Sequence, residues 1–269
     1  MPETFLILLA GGVMLAAALS DPKQVTLHWL RLAGIIALCV GALGVFFHVQ
    51  RDAGETLSLF YRRVQTGLMA ATLVAVLGQL AFVQVAWRRT QRLFAAAAFV
   101  LAVMAGANVL HGLMSPAGVA VRFPPKAFSV ALQTWSCAGV AAMGGLALMD
   151  MLLGHAYLTA AKMTIAPFRR LNLALAVALA LRAVVGIGGV LWLNRVRPIE
   201  MLWGIYGLYI LTRWLVGLGV AAVFVYMAHD CIRRRSTQSA TGILYVAGLL
   251  TFIGEIVALH LVKETGLPF

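Results

Sequence analysis

Charge is scarce in this chain. Acidic and basic residues make up 11% of its 269 positions, against roughly a quarter in an ordinary soluble domain, while 62% are hydrophobic. A water-soluble globular domain is excluded, because too few polar side chains are present to cover one. Cysteine is equally thin. Cys39, Cys137 and Cys231 lie in or at the end of different apolar segments, without CxxC or Cys/His spacing. That excludes a disulfide framework or a structural zinc site, and all three read as small buried hydrophobes. HExxH, GxSxG, a P-loop and a GxGxxG opening a helix after a strand are missing too. Metalloprotease, hydrolase and nucleotide chemistry of the soluble type therefore have no foothold.

Acids are rarer than bases, nine against 21, which leaves a net charge of +12. The basic residues sit in short clusters between apolar runs, where they would meet anionic lipid headgroups. A nucleic-acid groove needs a soluble basic face, and there is none, so nucleic acid is not an expected partner.

What the chain has in abundance is apolar sequence long enough to cross about 30 Å of hydrocarbon. The pattern predicts a single transmembrane domain, an all-α polytopic helix bundle of about eight spans, at about 4–20, 27–49, 64–87, 93–114, 127–155, 171–193, 201–229 and 240–262. The first carries no Lys or Arg ahead of it, unlike the n-region of a cleaved signal peptide, and reads as a retained helix. Pro124-Pro125 marks a surface loop over residues 117–126. KMTIAPFRR, residues 162–170, reads as a stretch lying in the headgroup layer.

With the N-terminus outside, inner loops carry eleven Lys and Arg and outer loops eight. The expectation is a bacterial inner-membrane protein with both termini outside.

Four charges fall inside predicted spans: Asp150, Arg182, Arg213 and Glu255. In hydrocarbon an unpaired charge costs several kcal/mol, so two bases and two acids at related depths suggest a buried ion-pair network. Such a network is either a substrate or proton-coupling site or a device that pins four helices together.

The six histidines all lie near an interface. His48, His111 and His260 fall at outer ends of spans, and His28, His155 and His229 at inner ends. Membrane cytochromes b place their haem ligands at such depths, although any amphipathic ring also rests there. Gly41 and Gly44 share a face with His48 and would leave a flat surface for a porphyrin, while Asn108 on the stripe Met104, Asn108, His111, Ser115 could orient that imidazole. The candidate axial pairs for haem b are thus His48 with His111 and His155 with His229. Arg233 would meet a propionate. Tyr206, Tyr209 and Arg213 could edge a quinone site, or form part of an interfacial belt.

His48 and RRVQTG (62–67), followed by an apolar run to Gly78-Gln79, are echoed by His229 and RRRSTQSATG (233–242), followed by a run to Gly254-Glu255. Chance gives matches this short; an inverted repeat, as in transporters, would also. The leading expectation is a membrane subunit of a respiratory or photosynthetic electron-transfer complex, with haem or quinone and with partner redox subunits supplying electrons. A small transporter or channel using the midplane charges, and a cofactor-free assembly subunit, are the alternatives.

Overall fold

The computed structural model describes residues 2–21, 24–50, 59–114, 126–159, 164–194 and 199–265. Within them ten helical segments run in order: α1 (Pro2–Leu19), α2 (Leu27–Gln50), α3 (Leu59–Gln84), α4 (Arg88–Met114), α5 (Lys126–Thr159), α6 (Ala166–Asn194), α7 (Ile199–Leu211), a π-helical segment π1 (Thr212–Val220), α8 (Ala221–Arg233) and α9 (Thr237–Thr265). No strand occurs among the described residues. Among the described residues, eight helices are long and apolar enough to cross a membrane, with α7, π1 and α8 forming one interrupted seventh span. The chain is an all-α, multi-pass membrane bundle.

Several helices begin earlier than hydropathy alone suggests. Arg62, Arg63, Arg88 and Arg89 lie inside α3 and α4, because a long cationic side chain can reach the headgroups while its backbone stays helical. The stretch expected to lie along the membrane surface instead supplies the start of α6 from Ala166. Pro167 sits in the first turn, where a missing N–H has no partner to lose, and Phe168 is fully buried. Residues 162–163, Ser115 and the Pro124-Pro125 loop lie outside the described residues.

α1 is the core of the bundle. It is hydrophobic all round, as a helix surrounded by protein should be, and it packs on α2, α4 and α5. Small residues make this possible, since without a hydrophobic drive between helices in lipid, close backbone packing has to do the work. A Cβ added at Gly12 would stand 1.7 Å from the Ala141 carbonyl oxygen, and one at Gly145 would stand 1.9 Å from the Gly12 carbonyl carbon. The α1–α5 contact is therefore backbone against backbone.

A second such seam joins π1 and α9. A Cβ on either Gly217 or Gly254 would come within 2.4 Å of the other's Cα. Along this antiparallel seam lie the pairs Tyr209–His260, Arg213–Glu255 and Gly217–Gly254. Cys137 is buried, but Cys39 is exposed and Cys231 half-buried. The expectation of three buried thiols fails at Cys39 because an apolar side chain can face lipid as readily as protein.

Candidate functional site

The buried charges divide into two groups. Arg213 Nη1 donates to Glu255 Oε1 at 2.7 Å, and Arg182 Nη2 stands 3.4 Å from Glu255 Oε2. All three side chains are at most 1% exposed. Arg182 also donates through Nη1 to Ser136 Oγ at 3.1 Å.

Three glycines make room for the guanidinium groups. A Cβ at Gly139 would meet Arg182 Cδ at 2.9 Å, and one at Gly254 would stand 3.2 Å from Arg213 Nη1. Gly217 lies one turn beyond Arg213 and continues that surface. Arg213 itself belongs to the π-helical segment, a local widening that recurs at functional positions.

Asp150 does not join this group. Asn172 Nδ2 donates to its Oδ2 at 3.0 Å, which leaves Asn172 Oδ1 as acceptor for His229 Nδ1–H at 3.1 Å. The structure thus brings Arg182, Arg213 and Glu255 together and builds a separate polar chain from Asp150 through Asn172 to His229. Depth along a helix placed these residues in the sequence; the direction each faces decides the partners.

Among the described residues, no hydrogen bond or ring contact joins the histidines of the expected pairs. His48 Nε2 lies 3.0 Å from Thr66 Oγ1, whose own proton goes to the Arg62 carbonyl, so His48 Nε2–H is the donor. His111 packs edge-on against Tyr61, with ring centroids 5.9 Å apart. Tyr61 and Thr66 are about 140° apart around α3 at 100° per residue, so the two imidazoles sit on different sides of that helix.

The small-residue face near His48 is occupied by α1, since a Cβ on Gly44 would lie 3.3 Å from Glu3 O and Leu6 Cβ. Asn108 donates to Tyr61 O at 3.0 Å and Gln65 Oε1 at 3.4 Å, on α3 and not toward His111.

On the other face His155 is exposed while His229 is engaged by α6, which packs on both α5 and α8. Arg233, 66% exposed, pairs with Asp230 at 2.9 Å. No group of three or more potential metal ligands occurs among the described residues.

Tyr209 and His260 instead line a cavity of about 560 Å³. Pro2, Phe5, Leu6, Leu43, Phe47, Ile256, Val257 and Leu259 form the rest of it. Its size falls within the range of small-molecule sites, and its wall is apolar apart from the two polar rings. Their centroids are 5.0 Å apart. Leu43, Phe47, Tyr209 and Ile256 are 41–51% exposed, so the cavity opens on the outer surface of the bundle. Tyr209 precedes Arg213 by one turn, and His260 follows Glu255 by about 7.5 Å of helix rise. The polar end of the cavity therefore borders the buried charges.

Sequence reasoning missed Asn172, Ser136 and the glycines at 139, 217 and 254. A signal was present: Arg213 and Gly217 are four apart, as are Thr251 and Glu255, which marks one polar and small-residue stripe on each of two helices.

Fold and site together define a polytopic all-α membrane protein with a charged interior. No family model, curated protein or solved structure matches the chain.

Proposed function

We propose that the chain is a membrane subunit of an electron-transfer assembly that receives an isoprenoid quinone in the cavity under Tyr209 and His260. The observation that carries this reading is the pairing of two polar rings at 5.0 Å inside an otherwise apolar cavity that opens on the outer surface of the bundle, the surface a spanning helix bundle turns to lipid. A quinone arrives from the hydrocarbon, so its site must be reachable sideways. Its isoprenoid tail needs apolar walls, and its two carbonyl oxygens need donors. The Tyr209 hydroxyl and a His260 N–H supply them.

Quinone reduction consumes two protons and two electrons. The electrons would come from partner redox subunits. The Arg213–Glu255 pair, about a turn from the ring pair, would set the potential felt by the headgroup. Haem is not part of this proposal, and an absorption spectrum of the purified protein, with or without a low-spin b-type band, checks that separately.

Binding of a short-chain quinone to the protein in lipid nanodiscs tests the proposal. Saturable binding is expected, weakened about tenfold by Tyr209→Phe or His260→Leu, as befits one lost hydrogen bond of about 1.4 kcal/mol. Ile256→Trp, which fills the cavity, should abolish it. Equal partitioning of the quinone into all variants would leave the cavity a lipid-filled groove.

A second reading, a small transporter, is favoured by the fully buried Arg182, Arg213 and Glu255 at membrane depth. Substrate-dependent flux into proteoliposomes, lost in Glu255→Gln, would support it over the quinone site. On either reading we propose a bacterial inner-membrane location with both termini outside, from the eleven-to-eight distribution of basic residues.

A further inference from the structure

The midplane cluster carries one positive charge too many. Arg182 and Arg213 bring two, and among the described residues Glu255 is the one acid within ion-pair distance of either. Asp150 is bound instead to Asn172. The surplus sits where water cannot screen it, with Arg213 fully buried and Arg182 only 2% exposed.

Donor capacity is also left over. Among the described residues, Arg182 Nε, Arg213 Nε and Arg213 Nη2 have neither a hydrogen-bond partner nor an ion pair, and the buried Thr251 hydroxyl one turn before Glu255 on α9 has no hydrogen-bond partner; Arg182 Nη2 is engaged by the 3.4 Å ion pair with Glu255 Oε2, an oxygen that accepts no hydrogen bond. Unmet donors and a surplus charge in a low-dielectric interior are each costly, and both are relieved by the same thing, a negatively charged acceptor.

We infer that the Arg182–Glu255–Arg213 cluster binds a small monovalent anion, a halide or a short carboxylate, held by the free guanidinium N–H groups and completed by Thr251. A single negative charge brings the cluster to neutrality, whereas a dianion would overshoot it. Guanidinium forks suit a carboxylate through two parallel N–H donors and suit a halide through convergence of N–H groups. The assignment does not require a quinone in the cavity under Tyr209 and His260.

The test is the thermal stability of the full chain in nanodiscs at fixed ionic strength, with gluconate, too bulky to enter, replaced stepwise by chloride or by formate. In the native chain the melting temperature should rise saturably with chloride, formate or both. The preferred ion distinguishes a halide site from a carboxylate site.

Arg182→Met leaves a neutral Arg213–Glu255 pair and should abolish the response. Glu255→Gln raises the surplus to two charges and should lower the half-saturating concentration about tenfold. If Arg182→Met fails to fold, broadening of the chloride-35 resonance by the native protein, reversed by formate, supplies the direct readout. An unsaturable response of the same size in the native chain and in Glu255→Gln, with no chloride-35 broadening, would overturn the assignment.

Discussion

Replacing Glu255 by glutamine removes the carboxylate shared by two buried arginines and keeps the side-chain volume. At an effective dielectric constant of about 20, a unit pair at 2.7 Å attracts with about 6 kcal/mol and one at 3.4 Å with about 5 kcal/mol. Most of that is offset by the desolvation of the three ions, so the gross figures are not stabilities. Breaking such a pair strands the partner without water, which costs about 3–5 kcal/mol net.

Three variants should therefore fall in a definite order. Glu255→Gln strands two cations and should lose about 3–5 kcal/mol. Arg213→Met leaves the longer Arg182–Glu255 pair and should lose about half as much. Arg182→Met removes the surplus cation and keeps the 2.7 Å pair, so it should stay within about 1 kcal/mol of the native chain. Unfolding in mixed micelles, followed by intrinsic tryptophan fluorescence at constant anion composition, gives the ranking. In the double variant Glu255→Gln/Arg182→Met, part of the loss should return, since one stranded cation replaces two. Additive losses, or Arg182→Met as damaging as Glu255→Gln, would refute the coupling.

Gly145→Val should prevent stable assembly of α1 against α5 and Gly217→Ala should loosen π1 from α9, each costing about 3 kcal/mol or more and read as loss of the folded fraction in detergent. Asn172→Leu removes the donor to Asp150 and the acceptor of His229, and should cost about 2–3 kcal/mol, with much of the loss recovered in the double variant Asn172→Leu/Asp150→Leu. A reporter fused after Arg235 should register the cytoplasm and one near Lys126 the outside; opposite signals from both would invert the orientation.

How far the sequence reached is clearest at individual residues. The eight spans were legible because apolar length is a one-dimensional property, and even the Arg182, Arg213 and Glu255 depths follow from counting along each span. Helix starts were less so: Arg88 and Ala166 begin helices that hydropathy places several residues later, since charged and proline-bearing first turns are helical without being apolar. Partnership was not legible. Asp150 and Glu255 look alike in sequence, yet one faces Asn172 and the other two arginines, because rotation of α5 and α9 is set by the Gly12–Gly145 and Gly217–Gly254 contacts. Likewise Gly41, Gly44 and His48 do share a face, but α1 lies on it. Of the quinone reading, Tyr209 was identifiable from its helix face, while His260 enters only because α9 runs antiparallel beside it.

The most direct test of the quinone site is photoaffinity labelling of the full chain in native membranes with an azido-quinone, followed by peptide mass spectrometry. The account predicts that label concentrates on residues 2–6 and 256–260 and around Tyr209, that excess unlabelled quinone displaces it, and that His260→Leu lowers it about tenfold at sub-saturating probe. Label spread evenly over the lipid-facing residues, undiminished by competitor and unchanged in His260→Leu, would contradict the account.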